Sequence, residues 1–324
     1  MKAVLCKAYG PPEALVVENL PDPGAGPGEV LVEVRAAALN FFDTLIIEGR
    51  YQVRPEMPFS PGAELAGVVI AVGDGVTRVS PGDRVVAYTR FGGCREKVVV
   101  SQDDVIAMPQ GVSFQVAAGI LVTYGTTLHA LRGRAQLRDG ETVAVLGASG
   151  GVGQAAVEIA TLLGARVIAC ASSSEKLEFA RRFGARETVN YAEEDLKLRL
   201  KALTDGNGVD VVYDPVGGDY AEQALRATAW RGRYLVIGFA SGAIPKIPLN
   251  LVLLKGCDVR GVFWGEAIVR EPEEHWADVT QLLDWVADGK LKPHIHAVYP
   301  LEQTAQALGE LAERRARGKV IIEP

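Results

Sequence analysis

The sequence predicts an α/β protein of two domains, a doubly wound parallel sheet and a small β-barrel. From about Ala117 onwards helix-like and strand-like segments alternate, and residues 209–214 and 234–238 are two of the strands. In the first third of the chain, short β-branched runs are broken by Pro and Gly instead. The first pattern is typical of parallel strands joined by helices, and the second of a barrel of short strands. A length of 324 residues accommodates both domains.

The strands of the first domain are predicted by alternation and by the turns between them. Residues 30–34 alternate as a half-buried strand does, and they follow the Pro- and Gly-rich segment 21–28. Residues 65–73 and 84–88 form two further strands on either side of the turn at 80–83. Several short strands with regular turn signals indicate a barrel.

A glycine-rich turn at 147–153 is the most specific feature of the middle domain. The apolar strand 143–146 ends at this turn, and a helical pattern over 154–163 begins after it. A second strand follows at 166–171. Glycines there let the backbone approach a pyrophosphate, whose charge is met by free amides and by the positive end of the helix. We therefore expect a dinucleotide, rather than a turn without a ligand, at Ala148, Ser149, Gly150, Gly151, Val152 and Gly153.

The end of the second strand indicates which dinucleotide binds. Sites for NAD usually place Asp or Glu there, to hold the ribose 2′-hydroxyl. Here Ala171 is followed by three serines at 172–174 and then by Lys176. Ser172, Ser173 and Lys176 supply hydrogen-bond donors and a positive charge, which suit a 2′-phosphate. The sequence therefore favours NADPH over NADH, and this function is compatible with the serines also capping the following helix.

The last segment of the chain is predicted to return to the first domain. From about 265 it contains a helix around 279–287, a strand-like stretch at 294–298, a helix to about Arg315 and a final strand at 319–322. The first domain is therefore expected to comprise 1–122 and 265–324, and the second 123–264.

Composition excludes several classes of function. The formal net charge of −6 argues against a nucleic-acid or anionic-membrane partner. No segment approaches the length of a membrane-spanning helix, and residues 1–5 predict a strand rather than a signal peptide. The cysteines lie far apart, which is typical of reduced residues in a cytoplasmic protein and excludes a cysteine-based zinc site of the usual spacing: Cys6, Cys94, Cys170 and Cys257. His294 and His296 share a strand face without a third ligand, so we expect no metal there.

The order of motifs resembles the zinc-free quinone oxidoreductase (zeta-crystallin-like) branch of the medium-chain dehydrogenase/reductase superfamily, over essentially the whole chain. The motifs are LNFFD (39–43), PGAELAG (61–67), PGDRV (81–85), TYGT (123–126), GASGGVG (147–153), VNY (189–191), DPVGG (214–218) and GKV (318–320). Two positions depart from the signature of that branch. Ala144 stands where Leu is usual, and Glu158 where Gln is usual.

The resemblance implies a fold and an activity. The first domain would be a GroES-like barrel, and the second a Rossmann domain that binds NADPH. The protein would be a zinc-independent homodimer, paired through an edge strand near 259–263, that transfers hydride from NADPH to a quinone. Positions that match the zinc ligands of related alcohol dehydrogenases hold Asn40, Ala63 and Ala118, none of which is a ligand of that type.

The resemblance also implies roles on the substrate side. Tyr51 matches the proposed proton donor of related enoyl reductases, and a phenol is a plausible acid for an enolate or hydroquinone anion. Asn40 and Asp43 match polar residues at the nicotinamide end, and Thr123 matches a residue beside the nicotinamide amide. Each of these residues also has a structural alternative. Tyr51 could serve only to pack over the substrate, Asn40 and Asp43 could cap a turn, and Thr123 could belong to the N-terminus of a helix.

Further cofactor contacts follow from the same resemblance. Tyr191 and Lys176 would converge on the 2′-phosphate. Other residues expected near the cofactor are Gly238, Phe239, Phe263, Trp264 and Lys319. The aromatic pair at 263–264 is compatible with a core position as well.

Two alternative functions remain for this sequence. In the first, the same site reduces an enone, a 2-alkenal or an enoyl thioester with NADPH, because hydride adds to any carbon made electrophilic by a conjugated carbonyl. In the second, the protein binds NADPH without catalysis, as a structural or sensor protein.

Overall fold

The computed structural model describes residues 1–324 and divides into two compact units, one of Met1–Val122 with Val279–Pro324 and one of Thr123–Asp278. The strands in chain order are β1 (Lys2–Leu5), β2 (Val16–Asn19), β3 (Glu29–Leu39), β4 (Glu64–Val72), β5 (Arg84–Tyr88), β6 (Lys97–Ser101), β7 (Val105–Ala107), β8 (Thr142–Leu146), β9 (Arg166–Ala171), β10 (Glu187–Asn190), β11 (Val209–Asp214), β12 (Thr228–Val236), β13 (Asp258–Gly261), β14 (Ile295–Pro300) and β15 (Lys319–Glu323).

The helices in chain order are α1 (Phe41–Ile47), α2 (Phe114–Ala118), α3 (Thr126–Leu128), α4 (Gly151–Leu162), α5 (Ser174–Arg181), α6 (Leu196–Ala202), α7 (Asp219–Arg226), α8 (Leu249–Lys255), α9 (Trp264–Arg270), α10 (Pro272–Ala287) and α11 (Thr304–Ala312). Segments of π-type geometry, Leu121–Gly125 and His129–Arg134, lie on either side of α3. Short 3₁₀ turns occur at Pro12–Ala14, Gln102–Asp104 and Leu301–Gln303.

The second unit contains a six-stranded sheet in which every pairing is parallel. The strand order is β10-β9-β8-β11-β12-β13, so the chain builds outwards from β8 first in one direction and then in the other. This is the doubly wound order, and it confirms the fold class predicted from the alternating pattern. Apolar residues of the strands form the core beneath the helices, among them Ala144, Leu146, Ile168 and Val212.

Most strands of this sheet lie where the sequence predicts them, but β12 does not. It was expected at 234–238 and instead occupies Thr228–Val236, so Gly238 lies beyond its end. The first half of this strand was not predicted, because polar residues before Tyr234 interrupt its apolar pattern. Arg233 is buried there because its guanidinium pairs with the Glu141 carboxylate.

The sheet of the first unit combines strands from both ends of the chain. Its order is β14-β15-β3-β4-β5-β7, with β6 also paired to β3. β14 and β15 are parallel, and the remaining pairings are antiparallel. The register of β15 on β3 sets Val320 opposite Leu39. Both side chains lie in the apolar core of this unit.

The boundary at the end of the second unit lies later than the sequence predicts. Residues 265–278 were expected in the first domain, and the structure groups them with the second unit. Their contacts explain this. Trp264 packs on Gly125 and edge-on against His275, and Asp278 forms an ion pair with Arg132. None of these three contacts can be inferred from the helical pattern around 279–287.

Candidate active site

The glycine turn of the second unit requires glycine at two positions for different reasons. Gly147 has a φ of +59°, a conformation that residues with a Cβ rarely adopt. Gly153 lies in the first turn of α4, and a Cβ there would stand 2.1 Å from the Gly147 carbonyl oxygen. Gly153 therefore allows α4 to pack closely on the end of β8, which is the role of the third glycine in a dinucleotide turn.

The N-terminus of α4 offers backbone donors. Gly150 is its N-cap residue and makes no side-chain cap, and the first N–H groups of a helix have no partner within it. Those of Gly151, Val152 and Gly153 are in this position, with the positive end of the helix dipole behind them. The Ala148 N–H instead donates to the Cys170 carbonyl at 3.1 Å. Ala148 thus anchors the turn to β9, while the amides of α4 suit a pyrophosphate. Ser149 is buried beside them.

Ser172 and Lys176 meet at the carboxyl end of β9. The Lys176 ammonium donates to the Ser172 hydroxyl at 3.3 Å, while the Ser173 hydroxyl accepts the Lys176 N–H at 3.4 Å as the N-cap of α5. Ser173 therefore caps the helix, as the structural alternative expects, and Ser172 lies beside a cation. Binding of a 2′-phosphate by these residues stays a prediction. The last residue of β9, Ala171, carries no carboxylate.

Tyr191 lies at the same edge of the sheet. It follows β10, and its N–H donates to the Ala171 carbonyl at 3.1 Å. Its ring packs against that of Tyr220 in a tilted arrangement, with a centroid distance of 4.2 Å and an interplanar angle of 38°. The two aromatic rings form a half-buried surface next to the end of β9.

The remaining predicted residues of the second unit differ in exposure. Thr123 is buried, and its carbonyl accepts a hydrogen bond from the Thr127 hydroxyl at 2.7 Å within a helical segment. Gly238 follows β12, and its N–H donates to the Asp214 carbonyl at 3.3 Å. Phe239 and Phe263 are exposed, and Trp264 is buried. Trp264 therefore serves the core of this unit, and its contact with a cofactor stays a prediction.

A buried polar cluster lies in the first unit, where α1 begins. The Lys319 ammonium donates to the Glu64 carboxylate and to the Asn40 side-chain oxygen, each at 2.7 Å, and to the Leu39 carbonyl at 3.2 Å. The side chains of Lys319 and Glu64 are 3% and 0% exposed. The expectation that Lys319 binds the cofactor is therefore wrong, because all three N–H groups of its ammonium have acceptors inside this unit.

Asp43 occupies the neighbouring position and is fully buried. Its carboxylate accepts the Asn40 backbone N–H at 2.7 Å and the Gly62 N–H at 3.2 Å. Burial raises the pKa of the Asp43 carboxyl to about 7, although these two N–H groups and the Lys319 charge lower it. Asp43 thus caps α1, as the structural alternative expects, and also has a carboxyl group that titrates near neutral pH.

Tyr51 has a half-buried ring and a protonated phenol. The ring stacks on Phe42 with a centroid distance of 5.4 Å. Burial raises the pKa of the Tyr51 phenol, and the nearby Asp43 carboxylate raises it further. A phenol with a raised pKa carries its proton at neutral pH, as a proton donor must.

Two residues near this cluster had no predicted role. Glu64 lies inside the PGAELAG motif, and its carboxylate also accepts the Val122 N–H at 2.8 Å. Tyr88 ends β5 opposite Glu64, and burial together with the nearby Tyr51 phenol raises its pKa. The signal for Glu64 is visible in the sequence, because it is the single charged residue among small and apolar neighbours.

The structure contains no group of three or more His, Cys, Asp or Glu side chains arranged to hold a metal ion. Ala63 and Ala118 are buried and carry no ligand atom, and His296 lies 3.8 Å from a Glu310 oxygen. None of the helices is both long and apolar enough to span a membrane.

Comparison with known proteins decides the family. A quinone oxidoreductase-like protein 2 homolog from Nematostella vectensis is 39% identical over 325 residues, covering 99% of this chain and 88% of the relative. The chain belongs to the quinone oxidoreductase family. This confirms the resemblance of the motifs. Family models agree, with an alcohol dehydrogenase GroES-like domain at 26–157 and a zinc-binding dehydrogenase domain at 151–288.

Solved structures of other family members share the whole fold. The crystal structure of Escherichia coli quinone oxidoreductase complexed with NADPH has a TM-score of 0.94 and 31% identity, with both chains covered completely. A 2-haloacrylate reductase has a TM-score of 0.88 and 28% identity, covering 100% of this chain and 99% of its own. This quinone oxidoreductase-family member therefore has the GroES-like and Rossmann-type domains that its motifs predicted.

One departure from the family signature is now explained in structural terms. The Glu158 carboxylate accepts hydrogen bonds from the Tyr124 hydroxyl and, at 3.3 Å, from the Gln154 amide. A carboxylate only accepts hydrogen bonds, and both neighbouring groups can donate one. Glu in place of the usual Gln is therefore matched to its surroundings.

Proposed function

We propose that this protein is an NADPH-dependent, zinc-independent oxidoreductase that reduces a quinone or a similar conjugated carbonyl compound. The observation that carries the cofactor preference is the contact between Lys176 and Ser172 at the end of β9. The reaction class is supported by family membership and by the relatives named quinone oxidoreductase. We assign cofactor binding to the second unit and substrate chemistry to the first.

The residues of the second unit fit NADPH. Gly153 packs close to the Gly147 carbonyl, and Gly151 and Val152 open α4, so their amides have no partner within the helix and suit a pyrophosphate. The hydroxyl of Ser172 and the ammonium of Lys176 match a 2′-phosphate, with the Tyr191 ring beside them. Thr123, Gly238, Phe239, Phe263 and Trp264 are proposed for the nicotinamide half. Bound NADPH supplies the hydride.

The residues of the first unit fit the acceptor side of the reaction. Reduction of a quinone by hydride leaves a negative charge on an oxygen, which takes up one proton. We assign the donation of that proton to the Tyr51 hydroxyl. We assign to Asn40 a hydrogen bond, made either to the oxygen of the substrate or to the carboxamide of the nicotinamide. Asp43 holds α1 and raises the pKa of Tyr51, which keeps the phenol protonated until the oxygen of the substrate becomes basic.

Zinc independence is supported by the residues at the positions of the zinc ligands. Asn40, Ala63 and Ala118 offer neither a thiolate nor an imidazole, and a catalytic zinc needs three protein ligands. A substrate whose own conjugation makes it electrophilic suits such a site better than an unactivated ketone.

Reduction of a carbon–carbon bond conjugated to a carbonyl is the second candidate. The similarity to a 2-haloacrylate reductase favours it, because that name describes an acceptor of this class. The same groups would serve, with the enolate oxygen in place of the hydroquinone oxygen.

Oxidation of NADPH by the EDTA-treated protein tests the proposal. 1,4-Benzoquinone, an enone and crotonyl-CoA are compared as acceptors, with NADH as the control cofactor. We expect turnover with the quinone and a clear preference for NADPH. Turnover with the enone or thioester alone supports the second candidate. NADPH binding without oxidation by any acceptor contradicts an enzymatic role and indicates a structural or sensor protein.

We further propose a cytoplasmic homodimer. The four cysteines are free and buried, as in a reducing compartment. In the second unit, β13 is an edge strand, and exposed apolar side chains accompany it: Trp230, Ile244, Leu249, Leu253, Leu254 and Val259. An apolar surface beside an unpaired edge is typical of a protein interface. Light scattering after gel filtration should give twice the chain mass, and Leu253→Lys should reduce it to one chain mass.

A further inference from the structure

The side chain of Asn40 is held at both ends by a buried ion pair. Its oxygen accepts the Lys319 ammonium at 2.7 Å, and its nitrogen donates to the Glu64 carboxylate at 3.0 Å. The ammonium and the carboxylate also contact one another at 2.7 Å. The three groups therefore form a closed ring of hydrogen bonds in the first unit.

This ring determines which way the amide of Asn40 points. An ammonium only donates and a carboxylate only accepts, so exchange of the amide oxygen and nitrogen would face donor with donor and acceptor with acceptor. One N–H of the amide is used by Glu64. The second N–H has no acceptor in the protein, and its direction is set by the planar geometry of the amide.

Three neighbouring strands build the ring. Asn40 follows β3, Glu64 begins β4 and Lys319 begins β15, and both β4 and β15 pair with β3. Gly119 makes space for the stem of the lysine, because a Cβ there would stand 2.9 Å from Lys319 Cγ. The Val122 N–H binds the other oxygen of Glu64.

A buried ion pair is a weak source of stability, because removing both charges from water offsets most of their attraction. The presence of this ion pair in the core of the first unit is better explained by its effect on the orientation of the Asn40 amide. We propose that Lys319 and Glu64 are positioning residues that fix the Asn40 amide with one N–H available to the substrate or the nicotinamide. The ligand assigned to that N–H depends on the proposed function, and this inference rests on it to that extent.

A double-mutant cycle tests the inference. Lys319→Met combined with Glu64→Gln removes both charges together and avoids leaving one of them buried and unpaired. In the chain with Asn40, we expect kcat to fall by roughly tenfold or more with the protein still folded. In the Asn40→Ala background, the same pair of changes should lower kcat by less than about twofold, since it acts through Asn40. Equal falls in the two backgrounds would overturn the proposal.

A matched control separates positioning from general stability. Arg233 and Glu141 form another largely buried ion pair, in the second unit. Arg233→Met with Glu141→Gln should leave kcat unchanged, even if the midpoint of unfolding falls because the Ala135 and Asp210 carbonyls lose their donor. If the first double variant does not fold, Lys319→Arg is used in the same cycle, because it keeps the charge and moves the donors.

A measurement without cofactor reports on the orientation itself. The chain has five asparagines, so selective ¹⁵N labelling gives few side-chain amide signals: Asn19, Asn40, Asn190, Asn207 and Asn250. Asn40→Ala identifies the pair from Asn40. We expect widely separated proton shifts in the wild type, because one N–H binds a carboxylate, and a smaller separation in the double variant. Unchanged shifts would contradict positioning, whereas a wild-type protein that reduces no acceptor contradicts the proposed function alone.

Discussion

The Lys176 ammonium donates to the Ser172 hydroxyl at 3.3 Å, directly beyond the last residue of β9. The pair combines a positive charge with a hydroxyl at the position where an NAD-binding site usually has a carboxylate. It lies in a half-buried to exposed position, so a phosphate can reach both groups. The proposed preference for NADPH depends on these two side chains.

Ser172→Asp should reverse the cofactor preference. The new carboxylate repels a 2′-phosphate and accepts hydrogen bonds from a 2′-hydroxyl, so kcat/KM for NADPH should fall about 100-fold while that for NADH rises. Steady-state kinetics with each cofactor measure the change. Ser113→Asp, the same change at an exposed N-cap in the first unit, should leave both values unaltered. An unchanged preference in Ser172→Asp would show that the phosphate binds elsewhere.

Gly153→Ala should destabilise the second unit and abolish cofactor binding. A Cβ at this position would stand 2.1 Å from the Gly147 carbonyl oxygen, so α4 must move away from β8. Urea unfolding and NADPH fluorescence measure the two effects. Gly309→Ala is the control, because Gly309 lies in α11 with nothing within 4 Å of the new Cβ. It should raise stability by about 0.5–1 kcal/mol. Normal NADPH binding by Gly153→Ala would contradict the role of the turn.

Tyr51→Phe should slow the reaction without weakening cofactor binding. The substitution keeps the ring that stacks on Phe42 and removes only the proposed proton donor, so kcat should fall about 10- to 100-fold. Single-turnover kinetics and NADPH titration separate the two properties. Tyr299→Phe changes another partly buried tyrosine that packs on the core of the same unit, and it should leave kcat unaltered. If kcat of Tyr51→Phe equals that of the wild type, Tyr51 is not the proton donor and has a packing role only.

Asp43 should make the stability of the protein depend on pH. The pKa of its carboxyl is about 7 in the folded protein, against an ordinary value of 3.8, so the folded state holds a proton that the unfolded state releases. Stability from this group is present below about pH 4 and is lost as the pH rises towards 7. The total is on the order of 4 kcal/mol.

Asp43→Asn removes the titrating group and tests this effect. The difference in unfolding free energy between wild type and Asp43→Asn should decrease from pH 4 to pH 8, as measured by urea unfolding at several pH values. Asp74→Asn, which removes a carboxylate from an exposed turn, is the control variant. A difference that is constant with pH would mean that Asp43 ionises normally in its buried position.

Local patterns were sufficient to predict most strands and the glycine turn of the second unit. The glycine turn and the segment from Ala171 to Lys176 each lie within a few consecutive residues, and β9 was predicted with its observed bounds. The doubly wound fold class also follows, because alternating strands and helices permit few ways to wind a parallel sheet. The single clear failure among these strands, β12, contains a charged residue whose partner, Glu141, is distant in sequence.

Only the tertiary structure decided the role of Lys319. Its sequence neighbours indicate a strand near the end of the chain, and the family resemblance implied that this lysine contacts the cofactor. The structure pairs it instead with Asn40, 279 positions earlier, and with Glu64, 255 positions earlier. The physical reason is the adjacency of β15, β3 and β4, which encloses the ammonium among acceptors and away from water. The residue types and local turns were thus determined by the sequence, whereas the partner of each buried charge was decided by which strands became neighbours.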